Sequence, residues 1–120
     1  MEKIKVKGLS GVIMSSEYPE RLAKFYKDVM GIPMMLNRHG ASPDHWECDY
    51  HGIHFAILDQ KNAGKPSQHI VPSFYIESID RFVAENNIES HEEVMDLGDA
   101  LSIGFKDPDG NTVRLWMHKK

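Results

Sequence analysis

Apolar and polar positions follow two periods along this chain, and the change from one to the other marks its elements. Leu9 to Ser15 is a short apolar run of strand length. It is followed by Leu22, Phe25, Tyr26, Val29 and Met30 at the i, i+3, i+4, i+7 and i+8 spacing of one helix face. Ser16 is the expected N-cap, Pro19 suits the first turn, Gly31 suits the left-handed position after the helix, and Pro33 prevents its continuation. Three strands are then expected near Met34 to His39, His45 to Tyr50 and Ile53 to Leu58, the last two joined at His51-Gly52. The order is β-α-β-β-β. Gln60 to Gln68 is polar, carries Gly64 and Pro66, and reads as a linker. The pattern then restarts: a strand over Val71 to Glu77, a helix capped by Ser78 with Ile79, Phe82 and Val83 inward and Asn86-Asn87 at its end, and strands near Ser90 to Met95, Leu101 to Lys106 and Thr112 to Met117.

The repeat is visible in matching positions. Phe25 and Phe82 are 57 residues apart and Gly52 and Gly110 are 58 apart, the offset expected of an internal duplication. The expected organisation is one domain over residues 1–120, with module one at about 8–59, the linker at about 60–68 and module two at about 69–118. A lone module leaves a sheet face open and an edge unpaired, which two modules can cover together. Asp107, Pro108, Asp109, Gly110 and Asn111 supply the residues of a tight turn between the last two strands.

The segments GVIMSSEYPERLAKFYKDVMGIP, VPSFYIESID and FKDPDGN together resemble the vicinal oxygen chelate superfamily, the group of glyoxalases, bleomycin-resistance proteins and extradiol dioxygenases. The resemblance spans most of the chain. It implies an α+β fold in which two βαβββ modules form curved mixed sheets around a cupped cavity, and a homodimer. It also implies four inward-facing positions that hold a metal in the metal-dependent members. These fall on Gly11, on Ala56 or His54, on Val71 with its neighbour His69, and on Arg114, where the superfamily usually carries Glu. Gly has nothing to donate, and Arg is a permanent cation that cannot coordinate a divalent ion. Two histidines fall short of the three protein ligands of a catalytic zinc site. No cofactor is therefore expected, with a divalent metal on His54 and His69 as the alternative.

Alternation along the last strand places Val113 and Leu115 against the helix and Thr112, Arg114, Trp116 and His118 on the other face. Two readings of Arg114 stay open. Either it points to solvent or pairs with Asp107 or Asp109, or it grips an anionic ligand at about 1.5 to 3 kcal/mol per charge-assisted bond, with Trp116 supplying apolar area. Ser73 and Tyr75 share a face and can add hydroxyls. On the strand from His45 to Tyr50, Trp46 and Tyr50 share one face, while His45, Glu47 and Asp49 share the other; which face lines the cavity is open, as is whether Trp46 binds ligand, packs in the core or joins a dimer contact. Glu47 is a candidate general base if it is buried. His39, His45, His51, His69, His91 and His118 fall at strand ends or turns, where solvated imidazole is the ordinary reading. Cys48 reads as inert core.

Composition narrows the function classes. Fourteen Lys and Arg against 18 Asp and Glu give a net charge of −4 without a dense basic run, which excludes a nucleic-acid interface. A 120-residue chain with 41% apolar residues can bury about 65% of the surface its unfolded form exposes, and needs no staple. A single cysteine and the absence of an apolar leader or of a bilayer-length run indicate a cytoplasmic protein without a membrane partner. The leading expectation is a metal-free binder of a small molecule in the cavity between the sheets. The alternatives are a metal-dependent lyase, isomerase or dioxygenase using His54, Glu47 and His69, and a dimerisation module without ligand.

Overall fold

The computed structural model describes residues 4, 7, 9–39, 43–66 and 70–119, and the chain divides into two compact units, Met1–Pro66 and Ser67–Lys120. The first unit contains β1 (Gly11–Ser16), α1 (Pro19–Asp28), β2 (Met35–Asn37), β3 (His45–Tyr50), β4 (Ile53–Asp59) and α2 (Gln60–Ala63). The second contains β5 (Ser73–Tyr75), α3 (Ile79–Glu85), β6 (Met95–Asp96), β7 (Ala100–Lys106) and β8 (Thr112–His118). Each unit builds a four-stranded mixed sheet with the same order, β1-β4-β3-β2 in one and β5-β8-β7-β6 in the other. In each, the first strand lies parallel to the last and the remaining pairs are antiparallel. The duplication read from Phe25 and Phe82, and from Gly52 and Gly110, is thus a duplication of topology.

Tight turns set the registers. His51 at φ 50° and Gly52 at φ 83° both sit in the left-handed region, the geometry that matches the twist of a two-residue hairpin between β3 and β4. Between β7 and β8, one carboxylate oxygen of Asp107 accepts hydrogen bonds from the backbone N–H groups of Asp109 and Asn111, each at 2.9 Å, and the other accepts from the Asn111 side chain at 2.8 Å. Asp107 and Asn111 are both buried, so the turn closes on itself rather than on water. Asp107→Ala is expected to lower unfolding free energy by about 2 kcal/mol, because buried amide donors lose a charged acceptor. Urea denaturation checks this; an unchanged midpoint would contradict it.

One face of each sheet is covered by its helix. In the first unit Leu22, Ala23 and Tyr26 of α1 are buried, and the Tyr26 ring lies 5.0 Å from that of Phe55. Phe55, Ile57 and Met14 therefore form the covered face, with Ile32 and Met34 completing a core. In the second unit Ile79 and Phe82 of α3 are buried, and Phe82 lies 5.9 Å from Phe105, over Val113, Ile103 and Leu115. Burial of each such side chain contributes about 1.5 to 3 kcal/mol. The opposite faces, turned away from the helices, carry the polar chemistry.

Several elements differ from the expectation. Ser16 is buried in β1 and does not cap α1; its hydroxyl accepts from the Tyr18 N–H at 3.0 Å, and α1 begins three residues later at Pro19 without a side-chain cap. Ser78 does cap α3, accepting from the Arg81 N–H at 3.2 Å. The expected linker opens with α2, because Asp59 accepts from the Lys61 N–H and caps a short helix. β5 and β6 are three and two residues long, shorter than the apolar patterns around them. No helix among the described residues is long and apolar enough to cross a membrane.

Candidate functional site

Pairing in the first sheet draws histidines from β3, from β4 and from just beyond β2 around one carboxylate. Ile13, Ala56, Glu47 and Met35 form a single cross-strand row on the face away from α1. Asn37 pairs with His45 on one side of that row, and His54 with Asp49 on the other. The Glu47 side chain is only 9% exposed. Its Oε1 is met by His45 Nε2 at 2.7 Å and by His54 Nε2 at 3.3 Å, and its Oε2 by Asn37 Nδ2 at 2.9 Å and by His39 Nε2. Burial alone would push the Glu47 carboxyl up, but hydrogen bonds from His45, His39 and Asn37 outweigh it and hold the group below the usual carboxylate range. A hydrogen bond to the Pro43 carbonyl pushes His45 up against the effect of burial, and Glu47 acts in the same direction. Glu47 is therefore an anion at neutral pH. As a general base it is hemmed in by the Asn37 amide and three imidazole rings.

Strand alternation separates Trp46 from this cluster. Trp46 pairs with Ile57 and shares its face, the one covered by α1, whereas His54 lies on the Glu47 face. Trp46 and His54, each a separate candidate for ligand contact, thus lie on opposite sides of the sheet. Cys48 lies on the Trp46 face, half-buried, with its thiol pushed up by desolvation, in line with an inert residue. His45, read as a solvated strand-end residue, has a side chain only 12% exposed. His69 lies outside the described residues.

In the second sheet Ser73 pairs with Arg114 and Arg114 with Gly104, while Tyr75 pairs with Trp116 and Trp116 with Ser102. All lie on the face away from α3. Arg114 neither points freely to solvent nor engages Asp107 or Asp109: it donates to the buried Ser102 hydroxyl at 3.1 Å and to Glu92 Oε1 at 2.8 Å. Gly104 makes the seat for Glu92. A Cβ there would come within 2.7 Å of the Glu92 carboxylate, and the Glu92 N–H is tied to the Gly104 carbonyl at 2.8 Å. Trp116 is half-buried, and Tyr75 is exposed and stacks on His118 at 5.0 Å between ring centres. The expected hydroxyls, guanidinium and indole thus share one face, with a carboxylate that strand periodicity did not reveal.

Among the positions at which the resemblance implies chelating groups, Gly11, Ala56, Val71 and Arg114 carry no metal ligand. Gly11 has no ligand atom, and a Cβ at that position would lie 2.1 Å from the His54 carbonyl oxygen. Ala56 is a methyl group in the middle of the Ile13 to Met35 row, and Val71 is apolar and precedes β5. Arg114 brings a positive charge already paired with Glu92. Of the two histidine alternatives, His54 does carry ring nitrogens and lies beside Glu47, while His69 lies outside the described residues; Gly11, Ala56, Val71 and Arg114 supply no ligand atom, so no step is routed through an ion held by them.

No protein-family model matches the sequence. No curated protein matches it either. Solved structures do match. An antibiotic binding protein from Streptomyces superposes with a TM-score of 0.76 at 13% identity, covering 98% of this chain and 100% of that one. A Bacillus anthracis protein attributed to the glyoxalase family gives 0.70 at 21% identity, covering 98% and 100%. Lactoylglutathione lyase from Agrobacterium tumefaciens gives 0.67 at 16% identity, covering 94% and 95%. With two βαβββ units of the same strand order, the protein has a vicinal oxygen chelate-like fold of the glyoxalase and bleomycin-resistance type.

Proposed function

We propose that the protein binds a small organic molecule on the sheet face that carries Arg114, without a metal at the superfamily's chelating positions, and that it does so as a homodimer. The observation that carries the reading is the Arg114–Glu92–Ser102 arrangement at 2.8 and 3.1 Å, where metal-dependent members place a chelating Glu. It replaces a cation-binding group by a paired guanidinium and carboxylate, flanked by Trp116, Ser73 and Tyr75. Such a pair recognises polar ligands through charge-assisted hydrogen bonds, and the indole adds apolar contact area. The likeness to an antibiotic binding protein supports the same class of function.

The pair also frames the choice of ligand charge. An anionic ligand takes the guanidinium and displaces Glu92, whereas a cationic one meets Glu92, whose side chain is 50% exposed. Calorimetric titration with small carboxylic acids and with a cationic glycopeptide tests both. Saturable binding of one class at one ligand per chain is the expected result, and no heat from either at millimolar concentration would contradict it. Light scattering on the same sample is expected to give twice the chain mass, and a monomer mass would refute the homodimer.

A further inference from the structure

We infer that His39, His45 and Glu47 form a binding site for a divalent first-row transition-metal ion, at positions different from those at which the superfamily chelates its metal. This goes beyond the small-molecule reading and does not depend on it. One ligand atom from each of the three residues lies within 4.8 Å of the others, and among the described residues they are the one such set. Two imidazole nitrogens and a carboxylate oxygen suit zinc, iron(II), cobalt or nickel; magnesium and calcium take oxygen ligands. Three protein ligands leave coordination positions open, as catalytic sites do.

Donor and acceptor accounting favours a cation at this place. His45 Nδ1 faces the Pro43 carbonyl at 3.0 Å, an acceptor, so Nδ1 carries the proton; Nε2 then faces Glu47 Oε1 at 2.7 Å, a second acceptor. A neutral imidazole has one N–H and cannot serve both. His54 repeats the arrangement, with Nδ1 2.7 Å from Asp49 and Nε2 3.3 Å from Glu47. A cation held between His45 Nε2 and Glu47 Oε1 would satisfy both atoms at once. The surroundings match those of a ligand set. A metal-bound histidine normally donates its other N–H to a carbonyl or carboxylate, the part taken by Pro43 for His45, and ligating carboxylates are themselves hydrogen-bonded, as Asn37 does for Glu47. Beside the cluster, Ile13 and Met35 are 61% and 67% exposed in the Glu47 row, an apolar border open to a ligand.

The test uses untagged full-length protein stripped with a chelator, then titrated with zinc(II) and cobalt(II) against a chromophoric competitor, with circular dichroism of every variant. One ion per chain is expected, together with cobalt d–d absorption bands of a four- or five-coordinate site. Glu47→Gln and His45→Ala are expected to weaken the site about 100-fold, and Asn37→Ala about tenfold, the usual cost of losing a supporting hydrogen bond. Asp28→Ala, an exposed carboxylate on α1, the helix on the other face of the same sheet, is expected to leave it unchanged. Where a buried variant does not fold, His39→Ala decides, since its side chain is 60% exposed. No retained ion in the parent protein, or an affinity untouched by His39→Ala, would overturn the assignment.

Discussion

Gly11→Ala is expected to lower the unfolding free energy by about 3 kcal/mol, the upper end of the usual cost of overpacking. The atom it adds would stand 2.1 Å from the His54 carbonyl oxygen and 2.8 Å from its carbonyl carbon, both backbone atoms of the neighbouring strand. A flexible side chain could turn aside, but this neighbour cannot. The His54 N–H is bonded to the Ser10 carbonyl at 3.0 Å, and Gly11 through Ser16 run in unbroken parallel register with His54 through Asp59. Relief would require β1 to move off β4, pulling Met14 and the fully buried Ser16 from their packing. Urea unfolding of the variant against the parent protein measures the loss; equal midpoints would show that the strands part without cost. Placing His at the same position is expected to destabilise the unit rather than restore a chelator, so the missing ligand cannot be supplied by one substitution.

The second large effect concerns Arg114. Arg114→Glu is expected to weaken binding of small carboxylic acids at least about 100-fold, since two charge-assisted hydrogen bonds together contribute about 3 kcal/mol or more. The new carboxylate would also stand beside Glu92, whose oxygen lies 2.8 Å from the present guanidinium, and repel both it and the ligand. Glu92→Gln gives the opposite sign. Freed from its partner, Arg114 has one charged competitor fewer, and affinity for acids is expected to rise about fivefold, within the modest energy of a partly exposed ion pair. Calorimetry on the three proteins reads both changes. Unchanged affinity in Arg114→Glu would remove this residue from the binding site.

Local signals carried most of the fold. The α1 stripe at Leu22, Tyr26 and their neighbours, the His51-Gly52 turn and the Asp107 to Asn111 turn each depend on residues close in sequence, and each is found where the pattern puts it. Ser16 misled because a hydroxyl before a helix serves equally well inside a strand. The site was less legible for reasons of geometry. Period-two alternation says that His45 and Glu47 share a face, but only the packing of Tyr26 on Phe55 says that this face is the one away from the helix. Asn37 reaches Glu47 through the β2–β3 register and His39 from just beyond β2, and that pairing is not written in either strand's own pattern. An alternating His-x-Glu-x-Asp run, with Asn37 on the preceding strand and His39 just after it, was the available signal. Glu92 left none: it sits in irregular chain 22 residues before Arg114, and its seat exists because Gly104 lacks a side chain. The chelating positions, by contrast, could be read one at a time, because the question there was only whether each residue has a ligand atom.

Whether a small molecule binds without a metal at the superfamily's positions is read by calorimetry on metal-stripped protein. Small carboxylic acids and a cationic glycopeptide are titrated in the presence of a chelator and again after zinc is restored. Saturable binding of one class at one ligand per chain is expected in both conditions, lost in Arg114→Glu if the ligand is an acid. Binding that appears only with zinc, or none in either condition, would contradict it.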